Sequence, residues 1–355
     1  MLKIALMSRW NAACGTSLWG ELIGRELMKR GYDLFILTPF NDDKLIVESD
    51  EEKVRWCYSI YRFGWKEVEK ELDSRPFLNL DYNIFIAQGF GFITCMEQFG
   101  EIYSRIKEKA KTIYIVHERT PSSSAFTEFD WDALVCFDER YKKVLSKAFK
   151  EEQCRIIPYP YYPVVKGNMK EARARLNLPQ SKRIILSFGW RIEDYIPLFP
   201  ILEEVNEESS LKYVIVADPR VATRLDEIAG RSFIELRYEV PSTDRLYTYL
   251  HASDCLLIHR KDVGKREIVV SSAIHMSLGS LTPIVTTTTR YVEMLKNEVI
   301  KYSNLYELKD KLIGIFENSN FVSRTIKEAE RRVKENSAAK ITDEHIRLFD
   351  SLLAK

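Results

Sequence analysis

Three things are scarce in this sequence, and each scarcity removes a class of protein. Net charge is almost nil: 53 Lys and Arg against 52 Asp and Glu leave +1. No global field recruits nucleic acid, so any anion site has to be local. No Cys-x-x-Cys pair occurs; Cys14, Cys57, Cys95, Cys136, Cys154 and Cys255 are scattered, several of them inside apolar runs. This argues against zinc and against a disulfide framework, and fits reduced core thiols in a cytoplasmic protein. Long apolar runs are missing too: nothing approaches the roughly 18 residues of a membrane span, and Leu2 to Met7 is too short for a secretory signal. The first strand is not followed by Gly-x-Gly-x-x-Gly, which disfavours a Rossmann dehydrogenase, and no Gly-x-Ser-x-Gly elbow supports a hydrolase. His117, His251, His259, His275 and His345 show no His-x-His or His-x-x-x-His spacing, so no metal site is expected. Few glutamines among many Lys, Glu and Arg lean toward a heat-adapted source.

What is present is a soluble globular composition, 45% hydrophobic and 30% charged, on a chain too long for one ordinary core. The first half alternates short apolar strands with amphipathic helices, the pattern of a parallel sheet covered on both faces. The strands expected are Lys3 to Met7, Leu34 to Leu37, Ile84 to Ala87, Ile113 to Val116 and Ala133 to Phe137, with helices over Ser17 to Arg30 and Gln98 to Ala110. Pro158 to Pro163 (PYPYYP) cannot be regular helix, because its prolines lack donors and fix φ, and it reads as an interdomain linker. The alternation then restarts. Helices are expected over Met169 to Leu176, Ile196 to Asn206, Arg220 to Ala229 and Ser242 to His251. Strands are expected over Ile184 to Phe188, Tyr213 to Ala217, Ile234 to Tyr238, Cys255 to Ile258 and Pro283 to Thr286, before a helical tail. The expectation is α/β: two Rossmann-like domains, 1–160 and 161–335, facing a central cleft, with a C-terminal helix over 336–355 returning to the first. Ligands of open α/β sheets bind beyond the strand C-terminal ends.

Four stretches carry candidate chemistry. Between Cys255 and Thr286, a strand, a basic loop (Arg260, Lys261, Lys265, Arg266), the step Ser271-Ser272 into a short helix, and a second strand can present cations and free backbone N–H groups to a phosphate. An ordinary crossover with a solvated loop reads equally well. Gly15, Thr16 and Ser17 stand where the first helix begins; the hydroxyls can cap it and the glycine lets a ligand approach. His117 follows a buried strand, where it either assists proton transfer or merely closes the strand. Gly189-Trp190-Arg191 opens the second half and can offer a guanidinium to a diphosphate, unless Arg191 pairs with Glu193 or Asp194.

In order, these pieces resemble a retaining GT-B glycosyltransferase of the glycogen-synthase-like family 4. The resemblance rests on Lys29-Arg-Gly-Tyr-Asp-Leu34, on the strand ending at His117, on Arg155-Ile-Ile-Pro-Tyr159, and on Leu176-Asn-Leu-Pro179 running to Gly189-Trp190-Arg191. Leu246 to Ile258 and Ala273 to Thr286 complete it. It implies a UDP- or GDP-linked sugar bound mainly by the second domain, a sugar or lipid-linked acceptor bound mainly by the first, no cofactor and no metal. His117 and Glu267 would be catalytic. Gly189, Arg191, Lys265, Arg266, Ser271, Ser272 and His275 would hold the donor, and Gly15, Thr16 and Ser17 would form an acceptor or phosphate loop. A lipid-linked acceptor would imply peripheral membrane contact through an apolar patch, to which Trp65, Phe90 and Phe92 could contribute. The departures are specific. The family's two glutamates eight residues apart fall on Arg266 and Ile274, or in a register shifted by one on Glu267 and His275, and Glu193-Asp-Tyr195 stands where a lysine is usual. The alternative to a hexosyltransferase is therefore a non-catalytic module of the same fold that binds a nucleotide or sugar, or partners an active enzyme.

Overall fold

A computed structural model describes residues 2–40, 51–61, 70–220, 230–264, 267–317 and 319–354. Contacts divide the chain into two compact units, Met1–Pro160 with Lys265–Ser272 and Asn336–Lys355, and Tyr161–Gly264 with Ala273–Glu335.

The first unit is built on a seven-stranded sheet of β1 (Lys3–Met7), β2 (Asp33–Pro39), β3 (Val54–Tyr58), β4 (Ile84–Gln88), β5 (Lys111–Ile115), β6 (Ala133–Cys136) and β7 (Cys154–Ile156). The strands pair in the order 3-2-1-4-5-6-7, and every pairing is parallel. Parallel strands need a crossover between them, and α1 (Gly15–Lys29), α2 (Arg75–Asn79), α3 (Met96–Lys109) and α4 (Glu139–Leu145) lie in these connections. β1, β4 and β6 are almost wholly buried, as expected of strands covered on both faces.

The second unit holds a six-stranded parallel sheet of β8 (Arg183–Gly189), β9 (Leu211–Ala217), β10 (Ile234–Tyr238), β11 (Cys255–Ile258), β12 (Ile284–Thr287) and β13 (Ile300–Tyr302), in the order 10-9-8-11-12-13. Its helices are α5 (Met169–Arg175), α6 (Phe199–Ser209), α7 (Thr243–Ala252), α8 (Ser272–Ser277, whose first residue groups with the other unit), α9 (Leu305–Glu317) and α10 (Ser319–Glu335). The helix expected from Ile196 starts at Phe199, behind a 3-10 stretch containing Pro197; the ring removes a donor there. Of the helix expected from Arg220, residues 221–229 lie outside the described residues. One apolar layer of this unit includes Ile185, Tyr213 and Leu257, and another includes Ile184, Val214 and Leu256. These are alternate positions along the same strands, so the two clusters lie on opposite faces of one sheet.

The C-terminal helix α11 (Ala338–Leu353) belongs to the first unit. There His345, fully buried, presents its ring edge-on to Trp19 of α1 at 5.4 Å, and Arg30 pairs with Asp343.

Candidate active site

Strand order reverses in the first unit between β1 and β4, the place where open α/β sheets form a crevice beyond their C-terminal ends. Gln88 closes β4 and is buried. Its Nε2 donates to Ser8 Oγ at 2.6 Å and to the Thr16 carbonyl at 3.1 Å, while its Oε1 is buried without a partner among the described residues. These bonds fix the loop between β1 and α1.

The start of α1 differs from expectation. Cys14, not a hydroxyl residue, is the N-cap, its Sγ accepting the Ser17 N–H at 3.5 Å. Ser17 Oγ faces the loop: it accepts the Ala12 N–H at 2.9 Å and donates to Glu21 at 2.6 Å. Thr16 and Ser17 are both buried, so they stiffen the loop from inside. Gly15 is needed for close approach, but to protein. A Cβ there would sit 3.2 Å from the Ser272 Cβ, and the Tyr159 hydroxyl donates to the Gly15 carbonyl at 2.6 Å.

Three polar side chains follow β5 in a row. His117 is half-buried and meets Trp19, Phe137 and Tyr159 edge-on, with centroids 6.3, 5.0 and 6.0 Å away. Desolvation pushes its pKa down to about 3, which keeps the imidazole neutral, and its Nε2 has no hydrogen-bond partner among the described residues. Glu118 accepts from the Tyr114 hydroxyl, from the His117 N–H at 3.0 Å, and from its own and the Gly91 N–H. Burial outweighs these donors and raises the carboxyl to about 7. Arg119 follows, its Nη2 3.0 Å from Glu267.

Glu267 stands at the head of a strip of chain docked on this unit. The Ile268 N–H donates to the Arg119 carbonyl at 2.8 Å, and the Ile268 and Val269 carbonyls accept from the Tyr141 hydroxyl and from Arg140, each at 3.3 Å. The structure thus joins Glu267 to the β5 end that carries His117. Lys265 and Arg266 lie outside the described residues. Ser271 and Ser272 are half-buried, and the helix they enter, α8, has only six residues.

In the second unit, β8 ends at Gly189 with φ +119°, a conformation that favours glycine. Trp190 next to it is exposed, and the Arg220 guanidinium lies 3.9 Å from its ring centroid. Asp218 holds Arg220 in a two-pronged pair at 2.8 and 2.6 Å. Arg191 is exposed, and its side chain makes no hydrogen bond or ion pair among the described residues; Asp194 lies instead 3.8 Å from Arg260. Arg191, Arg220, Arg260, Lys261 and Arg290 all follow parallel strands, so one sheet edge collects them. His259 Nδ1 lies 2.6 Å from the Tyr302 hydroxyl on the same edge. His275, by contrast, is buried and stacks on Tyr161 at 4.1 Å with 16° between the planes.

Among the described residues no group of three or more His, Cys, Asp or Glu could hold a metal. The Asp130-Trp131-Asp132 triplet is occupied by protein. Asp130 pairs with Lys107, and Asp132 accepts the Thr112 N–H and hydroxyl at 2.7 and 2.9 Å. It precedes β6, at the sheet edge opposite His117. Of the aromatics considered for an apolar patch, Phe92 is 50% exposed, Phe90 is buried in the aromatic core, and Trp65 lies outside the described residues. No described helix is long and apolar enough to cross a membrane.

No family model matches the chain. Solved structures do. Sucrose-phosphate synthase from Thermosynechococcus elongatus is 14% identical, with all of both chains covered and a TM-score of 0.70. Anabaena HepE in complex with UDP-glucose is 11% identical over 99% of this chain and all of its own, at 0.71. A glycosyltransferase from Rickettsia africae is 12% identical over 99% and 98%, at 0.69. The chain therefore has the GT-B fold, two Rossmann-like α/β units spanning the full length of these proteins.

Proposed function

We propose that this protein is a glycosyltransferase that moves a hexose from a nucleotide diphosphate sugar to an acceptor hydroxyl, with retention and without a metal. The observation that carries the reading is the cationic edge of the second sheet. There a positive-φ glycine is followed by Arg191, an exposed guanidinium that no described side chain engages. A leaving diphosphate is stabilised by cations close to the developing charge, and Arg191, Arg260 and Arg290, which follow strands of the same sheet edge, would serve that task, with Lys265 and Arg266 in the adjoining sequence. In the first unit His117 would lie near the reacting sugar. Its neutral ring and free Nε2 suit it to accept a hydrogen bond from a hydroxyl. The likeness to HepE, solved with UDP-glucose, agrees with a nucleotide-sugar donor.

One observation favours the second reading, a module of this fold that binds without turnover. Glu267, the carboxylate nearest to the family's pair, is engaged by Arg119, and His275, in the other place, is stacked on Tyr161. Calorimetry with UDP and GDP, followed by nucleotide release from UDP-glucose and GDP-mannose, separates the two. Binding with release supports the transferase, and binding without release supports the module.

A further inference from the structure

His259 stands at the C-terminal edge of the second sheet, and the chemistry above gives it no task. It is the first residue after β11, and strand order in this unit reverses between β8 and β11. It therefore borders the crevice that such a reversal opens. β8 and β11 pair Cys255 with Ile185 and Leu256 with Leu186. The same register carried forward brings His259 level with Gly189, the positive-φ residue that leads to Arg191.

Two tyrosines hold it in place. The imidazole lies 19° from the plane of the Tyr302 ring with centroids 6.0 Å apart, and 56° from that of Tyr195 at 6.5 Å. The buried Tyr195 hydroxyl accepts the His259 backbone N–H. Arg260, next in the chain, is tied to β12: its N–H donates to Thr287 Oγ1 at 3.0 Å, and its carbonyl accepts from the same hydroxyl at 2.9 Å. The hydrogen bond at Nδ1 then decides where the ring proton sits. Tyr302 is 2% exposed, and its hydroxyl, 2.6 Å from Nδ1, has no other polar partner among the described residues. Were the phenol to accept from Nδ1–H, its own O–H would be buried with no acceptor, a cost that donation to Nδ1 avoids. The phenol therefore donates, and the ring proton goes to Nε2. Nε2 bonds no described residue and, unlike Nε2 of His117 and of His345, is not shut off from solvent. Burial, partly offset by Asp194, holds the imidazole below its usual pKa, so the ring is uncharged at neutral pH.

We propose that His259 binds the donor: Tyr302 holds its imidazole in the Nε2–H form, and Nε2–H donates to a diphosphate oxygen of the nucleotide sugar. This rests on the glycosyltransferase reading. The charges of this edge favour an anionic oxygen, because Arg260 and Lys261 follow His259 directly and Arg191 lies two residues beyond Gly189. A ribose hydroxyl seeking an acceptor would find Nδ1 already taken by Tyr302. The division of labour is physical. Arginines attract the diphosphate over several ångströms, whereas a neutral, tautomer-locked N–H adds direction and no further charge.

The experiment uses the full chain with isotope-labelled histidine. Long-range proton–nitrogen NMR should find His259 in the Nε2–H form, and Tyr302→Phe should shift it toward a mixture of tautomers. UDP or GDP, whichever binds, should move the Nε2 resonance, while uridine or guanosine at equal concentration should not. In calorimetric titrations His259→Phe, which keeps a ring against Tyr302, should weaken that nucleotide about 10-fold or more. His259→Gln, whose amide N–H can stand in for Nε2–H, should weaken it by less than about 3-fold. A wild-type ring in the Nδ1–H form, a nucleoside that moves Nε2 as far as the nucleotide does, unchanged affinity in His259→Phe, or equal losses in the Phe and Gln variants would each overturn the assignment and leave the donor reading standing. Failure of the wild-type chain to bind either nucleotide would instead strike the glycosyltransferase reading itself.

Discussion

Gly279 sets the sharpest demand against backbone among the described glycines of the second unit, and replacing it with alanine measures that demand. A Cβ at this position would lie 2.3 Å from the Pro163 carbonyl oxygen, 2.4 Å from that of Tyr162 and 2.8 Å from the Pro163 carbonyl carbon. Relief requires a movement of about 1 Å between two pieces of backbone, with no flexible side chain to absorb it. The linker is poorly placed to move. The Tyr162 N–H donates to the His275 carbonyl at 2.9 Å, the Val165 N–H donates to Gly279 itself at 3.0 Å, and Tyr161 is stacked on His275. Two hydrogen bonds at about 1 kcal/mol each and overpacking of about 1–3 kcal/mol give a loss of about 3–5 kcal/mol. For a unit of this size that corresponds to a Tm lower by roughly 6–20 °C. Gly314→Ala, on α9 with no atom within 4 Å of the added Cβ, is the control; it should be neutral or stabilising by up to about 1 kcal/mol. Differential scanning calorimetry of both variants reads the difference directly. If Gly279→Ala melted within about 2 °C of the parent, the close packing of the linker on α8 would be refuted.

Other outcomes follow from the charged and titrating groups. Glu118, raised to about 7, holds its proton more tightly in the fold than in the unfolded chain. Its contribution to stability is therefore full at low pH and declines as pH rises from about 4.5 to about 7; carboxyl carbon NMR should show a titration near 7 that Glu118→Gln abolishes. His117 and His345 act with the opposite sign. Held at about 3 and about 4 by burial, they cost stability as pH falls below 6.5, so His345→Leu should flatten the acid side of a Tm–pH profile. Across the half-exposed Arg119–Glu267 pair, a double-mutant cycle on urea unfolding should give a coupling of about 1 kcal/mol or less. Arg191→Ala should weaken UDP or GDP at least about 10-fold without moving the Tm, since its side chain engages no described residue; an unchanged affinity would remove it from the donor site.

Buried parallel strands betray themselves in sequence because both faces are apolar, and β1, β2, β4, β5, β6, β8, β9, β11 and β12 all stood out as such runs, as did β10 at one edge. The strands that did not, β3 (VRWCY), β7 (CRI) and β13 (IKY), are edge strands that each contain a charged residue, since one side of each escapes full cover. The positions of Gly15 and Gly279 were legible, but their reasons were not, because a close approach to Ser272 or to Pro163 is a tertiary fact. The capping role of Cys14 was hidden for a similar cause: sulfur is a weak acceptor, and the hydroxyls of Thr16 and Ser17 are the usual choice. Glu118 was passed over beside His117. Its one signal was a carboxylate immediately after a buried strand, and its perturbation arises from burial strong enough to outweigh the Tyr114 and Gly91 donors, which no spacing rule reports. Glu267 could be named from motif register, yet its partner Arg119 lies 148 positions away.

The account's central claim is that the cationic edge of the second sheet holds a nucleotide diphosphate whose sugar is transferred. Isothermal titration of the full chain with UDP and with GDP, with the same titration on Arg191→Ala, tests it most directly. Saturable binding of one nucleotide, weakened by the substitution and accompanied by slow release of that nucleotide from its sugar conjugate, is the predicted result. No binding of either nucleotide at millimolar concentration would contradict it.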